Sequence, residues 1–96
     1  MTEPNSLIKF WADGKSSVNA WLAINSPVSA EAMAKADWDT ATIDCQHGMV
    51  DLGQAMTMIQ TVAATGKITM CRVPWNDPVW IMKFLDAGAT GIVCPM

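Results

Sequence analysis

The sequence has 96 residues, of which 51% are hydrophobic and 16% are charged, and its formal net charge is −3. This length fits one small domain, and the acidic balance disfavours a nucleic-acid partner, which would need a basic face. Because there is no run of 18 apolar residues, and no basic segment before a long apolar core at the start, we predict neither a membrane span nor a signal peptide.

The first half of the sequence predicts two helices and two apolar strands. A short amphipathic helix covers Ser6–Ala12, and the first strand is Val18–Ile24 (VNAWLAI). A second helix starts at Ser26-Pro27, since serine suits the N-cap and proline the first helical position, and it runs to about Ala36. The second strand is Thr40–Asp44 (TATID).

The third helix has a clear start and stop. Asp51 with Gln54 three residues later matches a capping box, and Gly66 is placed to end the helix. The residues that we expect on its buried face are Met56, Ile59, Gln60 and Ala63.

The last part of the sequence repeats the pattern. The third strand is Ile68–Val73 (ITMCRV), and Asp77-Pro78 starts a helix that Gly88 stops. We expect Ile81, Phe84 and Leu85 to form the apolar face of this helix. The fourth strand is Gly91–Cys94 (GIVC).

Short apolar strands that alternate with helices indicate a parallel sheet with right-handed crossovers. Both a doubly wound sheet and a (β/α)₈ barrel fit this pattern. A barrel needs about 250 residues, so residues 1–96 would form a single partial domain, the N-terminal half of a barrel. We expect strand order 1-2-3-4 with helices on one side. Unpaired edges and an open apolar inner face would then favour association.

Polar residues collect where the predicted strands end, which is the rim where parallel α/β folds build their sites. Asp44, His47 and Arg72 should share this rim. His47, the only histidine, could exchange a proton or bind a metal, or it could be a surface residue. Arg72 could bind a carboxylate or a developing oxyanion, or form a salt bridge with Asp44 or Asp77.

Asp86 lies near the end of the fourth helix, where the helix dipole does not favour an acid. It could be a solvated surface residue, or it could orient another side chain such as the imidazole of His47. The sequence has no glycine-rich phosphate loop.

The three cysteines, Cys45, Cys71 and Cys94, are odd in number and have no CxxC spacing. They predict reduced, buried thiols of a cytoplasmic protein, with a catalytic thiol as the alternative. We expect most of the five tryptophans to be packing residues.

Three stretches resemble the HpcH/HpaI aldolase family: VNAWLAINSPVSAE, WDTATIDCQHGMVD and RVPWNDPVWIMKFLDAGATGIVCPM. The resemblance runs from about Ser6 to the end of the chain. It implies a metal-dependent class II pyruvate aldolase with the fold of a (β/α)₈ barrel, assembled as a hexamer. The reaction implied is the cleavage of a 4-hydroxy-2-oxo acid to pyruvate and an aldehyde.

The resemblance also implies roles for individual residues. His47 would be the base, acting through metal-bound water, with Asp86 as its partner. Arg72 would hold pyruvate and its enolate, and Trp21 would stand at the mouth of the site. Gln46 occupies a position where many relatives carry glutamate. The metal, Mg²⁺, Mn²⁺ or Co²⁺, would be held by a glutamate and an aspartate beyond Met96.

Two alternatives remain open at this stage. The chain could be a half-barrel that serves only as an association module and catalyses nothing. It could also be part of a citrate-lyase-type enzyme that acts on acyl-CoA thioesters, although the sequence has no recognisable CoA-binding signal.

Overall fold

A computed structural model describes residues 6–96, and it contains four helices and four strands in the predicted alternation. In chain order they are α1 Ser6–Ala12, β1 Asn19–Leu22, α2 Pro27–Ala34, β2 Thr40–Asp44, α3 Leu52–Ala64, β3 Ile68–Arg72, α4 Pro78–Ala87 and β4 Gly91–Val93. The first, third and fourth strands end earlier than predicted, because apolar residues continue past the last ladder pairing. Helix α2 ends at Ala34 rather than near Ala36, with Lys35 as its C-cap.

The four strands form one parallel sheet in the order β1-β2-β3-β4, as predicted. The register places Asp44 of β2 directly beside Arg72 of β3. Arg72 in turn lies beside Val93 of β4. The carboxyl ends of β2 and β3 therefore meet at one edge of the sheet, and their last residues are cross-strand neighbours.

Helices α2, α3 and α4 cover one face of the sheet and bury the core. The buried face of α3 consists of Ala55, Met58, Ile59 and Val62. The prediction of Met56, Gln60 and Ala63 on this face is wrong, and only Ile59 is shared. The observed set repeats at three and four residues and is wholly apolar, so it buries more hydrocarbon and leaves the amide of Gln60 in water.

The apolar face of α4 is also narrower than predicted. Phe84 is fully buried, Ile81 packs against the core, and Leu85 is 47% exposed. Trp80 packs edge-on against Phe84, with 5.5 Å between the ring centroids. The expectation that most tryptophans are packing residues is wrong for this chain: Trp80 packs on the core, and the exposed ones are Trp11, Trp21, Trp38 and Trp75.

The opposite face of the sheet, which we call the inner face, carries the alternate side chains of the strands. Its Asn19 amide donates to the hydroxyls of Thr40 (2.6 Å) and Thr42 (2.7 Å). Asp44 and Arg72 extend this polar row to the rim. The expectation of an apolar inner face is wrong for β2, whose residues on this side, Thr40, Thr42 and Asp44, are all polar. On the neighbouring strands Trp21 and Met70 are apolar.

The prediction that the helices lie on one side of the sheet is wrong for α1, which lies against the inner face. Leu7 is buried there, and Leu7 and Trp11 line a cavity of about 380 Å³ together with Asn19, Thr42 and Met70. Among residues 6–96 no helix is both long and apolar enough to cross a membrane.

Local signals start α2, α3 and α4 and end α4 as predicted. The Ser26 hydroxyl accepts from the backbone N–H of Ser29, and Asp51 and Gln54 form the complete capping box. Asp77 caps α4 through the N–H of Val79. Gly88 ends α4 with a φ of +123°, a conformation that favours glycine.

Candidate functional site

The centre of the rim is an ion pair between Asp44 and Arg72. Arg72 Nε donates to Asp44 Oδ1 and Arg72 Nη2 donates to Asp44 Oδ2, each at 3.0 Å. The Asp44 side chain is 4% exposed and that of Arg72 is 22% exposed. The salt bridge that the sequence offered as one option thus forms. It uses two of the five N–H donors of the guanidinium and leaves three for another partner.

Asp44 accepts more hydrogen bonds than those from Arg72. Its Oδ1 accepts the backbone N–H groups of Gln46 (3.0 Å) and His47 (3.3 Å), and its Oδ2 accepts the indole N–H of Trp21 (3.2 Å). One carboxylate therefore ties together the loop that carries His47, the guanidinium of Arg72 and a side chain of β1.

These contacts decide the charge state of Asp44. Burial by itself raises the pKa of this carboxyl, but the hydrogen bonds from Arg72, the two backbone N–H groups and Trp21 outweigh it and lower the pKa to about 2. The hydrogen bond to Asp44 in turn raises the pKa of Arg72. Both groups are charged across the physiological range.

The sequence analysis placed Asp44 at the rim but did not recognise it as the organising residue. The signal that could have found it is local. An aspartate that ends a strand can accept the N–H groups two and three residues later, as Asp44 does in the DCQH segment. Its pairing with Arg72 depends on strand register, which the local pattern does not give.

The loop that carries His47 requires a glycine at position 48. A Cβ built on Gly48 would overlap the carbonyl oxygen of Asp44 and lie 3.2 Å from Cα of Ala23. The next residue, Met49, donates its backbone N–H to Ala23 at 2.9 Å. The loop that carries His47 thus packs backbone against backbone on the end of β1, and a side chain at Gly48 would push it away.

The structure brings three of the four predicted site residues to one region. Trp21 and Arg72 are in contact, and His47 is joined to them through its backbone hydrogen bond to Asp44. The imidazole of His47 is exposed. Asp86 is exposed as well and lines a surface groove on α4 with Pro78, Ile81 and Leu85. Within residues 6–96, no hydrogen bond joins Asp86 to His47.

Cys45 and Cys71 are the chain neighbours of Asp44 and Arg72, but their side chains belong to the hydrophobic core. Cys45 and Cys71 are buried and free, with 3.7 Å between their sulfur atoms. The contact with Cys45 and burial raise the pKa of the Cys71 thiol, which disfavours a reactive thiolate. Cys94 is exposed, so the expectation of burial is wrong for this residue.

The part of the chain that the structure describes holds no group of three or more histidine, cysteine, aspartate or glutamate side chains able to ligate a metal. Both oxygens of Asp44, the carboxylate at the centre of the rim, already accept two or more hydrogen bonds. The free N–H groups of Arg72 can bind an anion, and the loop that carries the exposed imidazole of His47 is bonded to the same carboxylate.

The family model and the most similar relatives described here all indicate an aldolase family. A family model described as HpcH/HpaI aldolase/citrate lyase matches residues 18–96. A hydroxypyruvate/pyruvate aldolase of Rhizorhabdus wittichii is 39% identical over 92 residues. A 4-hydroxy-2-oxo-heptane-1,7-dioate aldolase of Escherichia coli is 34% identical over 83 residues. The chain spans 37% and 32% of these two relatives, and 96% and 86% of the chain is matched.

Solved structures show the same relationship. An HpcH/HpaI aldolase/citrate lyase family protein from Burkholderia cenocepacia superposes with a TM-score of 0.85 at 32% identity, over 96% of this chain and 37% of that one. A citrate synthase superposes with a TM-score of 0.84 at 28% identity, over 94% of this chain and 37% of that one. The four parallel strands and their helices match the start of the barrel fold of the HpcH/HpaI family protein, which confirms the predicted half-barrel.

Proposed function

The chain belongs to the HpcH/HpaI aldolase/citrate lyase family, and from this membership we propose that the full-length protein is a metal-dependent pyruvate aldolase. The reaction is cleavage of a 4-hydroxy-2-oxo acid to pyruvate and an aldehyde. The relatives named as pyruvate and 4-hydroxy-2-oxo-heptane-1,7-dioate aldolases support this choice within the family.

The observation that carries the proposal is the arrangement of Arg72 at the rim. Asp44 takes up Nε and one N–H of Nη2, so the remaining donors belong to Nη1 and Nη2 at the end of the guanidinium. This end can bind a carboxylate with two parallel hydrogen bonds. A 2-oxo acid would place its carboxylate or its developing enolate oxygen there, and the positive charge would offset the negative charge that forms during cleavage.

His47 is the candidate for proton transfer. Cleavage requires removal of the proton from the 4-hydroxyl, and an imidazole can accept it. The side chain of His47 is exposed, and its backbone N–H is bonded to Asp44 at the rim. Asp86 is proposed as its partner by resemblance. Both side chains are exposed, and no hydrogen bond joins them among residues 6–96. The pairing would therefore require a change in their positions, or an Asp86 from a neighbouring copy of the chain.

We propose that the metal is bound by residues that follow Met96. The described residues do not offer a ligand set, and the expected glutamate and aspartate ligands would follow Met96. When bound, a divalent ion such as Mg²⁺, Mn²⁺ or Co²⁺ would act as a Lewis acid toward the 2-oxo acid. Assembly as a homo-oligomer and a cytoplasmic location are further proposals from the family resemblance.

The test is release of pyruvate from 4-hydroxy-2-oxo acids by the full-length protein, followed with a coupled lactate dehydrogenase assay. We expect Arg72→Ala to lower kcat/KM by roughly 10²–10³-fold, because charge stabilisation of the enolate is lost. Arg72→Lys should recover only part of the activity, since an ammonium does not offer the two-pronged geometry.

Lys35→Ala is the matched control, because it removes a cation whose side chain is 65% exposed and whose ion pair with Glu31 lies at the C-terminal end of α2. Its kcat/KM should equal that of the wild type. An Arg72→Ala variant as active as the Lys35→Ala control would show that Arg72 has only a structural role.

A further inference from the structure

We propose that Trp21 is a positioning residue whose indole holds the Arg72 guanidinium against Asp44, so that the outer N–H groups of Arg72 point to the ligand. This inference rests on the proposed function, because it concerns the same anion site. It assigns Trp21 an action through Arg72 rather than through direct contact with substrate.

The first support is that the indole contacts both members of the ion pair. The Arg72 guanidinium carbon lies 4.9 Å from the centroid of the Trp21 ring. The indole N–H donates to Asp44 Oδ2 at 3.2 Å, and Arg72 Nη2 donates to that same oxygen at 3.0 Å. Three side chains from three neighbouring strands thus form one closed set of contacts.

The second support is geometric. A guanidinium is planar, and its hydrogen bonds lie in its plane while its faces stay free for stacking. Asp44 fixes one edge of this plane. The Trp21 ring, whose centroid lies 4.9 Å from the guanidinium carbon, restricts rotation of the plane about that edge, so the remaining three N–H groups keep one direction. Neither contact uses a donor that a bound carboxylate would need.

The third support is the burial pattern of β1. Ala20 and Leu22 point into the core and are buried, whereas Trp21 between them is 47% exposed. A large aromatic residue at this position therefore adds little to the core. Stacking on a cation and donating to its counterion give this exposed tryptophan a specific role at the rim.

Two substitutions separate the contacts. Trp21→Phe keeps a ring for stacking and removes the N–H, whereas Trp21→Leu removes both. Trp38→Phe is the control, because Trp38 is also exposed and its contacts in the loop before β2 do not involve Arg72. The amide fingerprint of each variant in a ¹H–¹⁵N NMR spectrum would verify that it is folded.

The first readout is the Kd for pyruvate of the full-length protein with Mg²⁺ present. We expect Trp21→Leu to weaken binding roughly 3- to 30-fold, the range of a partly desolvated cation–π contact. Trp21→Phe should recover part of this loss, and Trp38→Phe should match the wild type. In an Arg72→Ala background, Trp21→Leu should cause no further loss, because the residue through which it acts is gone.

The second readout is the Nε–H signal of Arg72, the only arginine in this sequence. In a longer protein its assignment follows from the Arg72→Lys spectrum. We expect this proton to exchange with solvent several-fold faster in Trp21→Leu than in the wild type, with no pyruvate present.

The outcomes are distinguishable. If Trp21→Leu leaves both the Kd and the Nε–H exchange within twofold of the wild type, the inference is overturned. If the Kd weakens while the exchange is unchanged, Trp21 contacts the ligand directly, and the positioning role is again overturned. If the wild type does not bind pyruvate, the proposed function fails, and the Nε–H exchange alone still decides whether Trp21 positions Arg72.

Discussion

Replacement of Asp44 by asparagine should make the stability of the protein less sensitive to acid. Asp44→Asn keeps the size of the side chain and an oxygen that can accept hydrogen bonds, but it removes the charge that pairs with Arg72. The carboxyl is almost fully buried and receives five hydrogen bonds from four residues. The substitution therefore acts on the most highly connected side chain at the rim.

The expected change in folding free energy follows from the pKa of Asp44. Folding lowers the pKa of Asp44 from 3.8 to about 2, and a change of this size corresponds to about 2 kcal/mol of folding free energy. Because the folded pKa is the lower one, this stabilisation is fully present above pH ~4 and is lost as the pH falls through ~2. About 1 kcal/mol should be gone at pH ~3.

The assay is urea unfolding of wild type and Asp44→Asn at several pH values between 7 and 2. At pH 7 we expect the variant to be less stable by about 2 kcal/mol, since it leaves a partly buried guanidinium without its counterion. The difference in unfolding free energy between the two proteins should become smaller toward pH 2, where the wild type also loses the charge. Asp86→Asn removes an exposed carboxylate and serves as the control. A gap that stays constant from pH 7 to pH 2 would contradict the assignment of the low pKa to Asp44.

Three further predictions concern the rim loop, a helix cap and the thiols. Gly48→Ala should lower the free energy of unfolding in urea by about 1–3 kcal/mol, because the new Cβ overlaps the Asp44 carbonyl oxygen. An unchanged free energy of unfolding would contradict the tight packing of this loop. Asp51→Ala should cost about 1 kcal/mol by removing the cap of α3, while Asp51→Asn should cost less, and equal losses would argue against capping. A thiol reagent should modify Cys94 quickly in the native protein but Cys45 and Cys71 only after denaturation; fast native reaction of all three would contradict their burial.

The order of strands and helices was predictable because its signals are local. Ser26-Pro27, the Asp51–Gln54 capping box and Asp77-Pro78 each act within one helical turn, and all of them form in the structure. The exact ends of β1, β3 and β4 were not predictable, since they depend on which residues find a partner in the neighbouring strand.

The site was predictable only in part. That Asp44, His47 and Arg72 share a rim follows from parallel strands that end in polar residues, and the structure brings these residues into one region. The contact of Trp21 with Asp44 joins residues 23 positions apart, and it requires the register between β1 and β2. The expected partnership of Asp86 with His47 stays a prediction, because no hydrogen bond joins the two side chains within residues 6–96.

Exchange of the methyl protons of pyruvate with solvent deuterium tests the proposed enolate chemistry most directly, because it requires no aldehyde. It is measured by ¹H NMR with the full-length protein and added Mg²⁺, Mn²⁺ or Co²⁺. We predict metal-dependent exchange by the wild type, and exchange slower by roughly 10²–10⁴-fold in His47→Ala and by a similar factor in Arg72→Ala. Exchange at the wild-type rate in both variants would contradict the assignment of His47 and Arg72 to this chemistry.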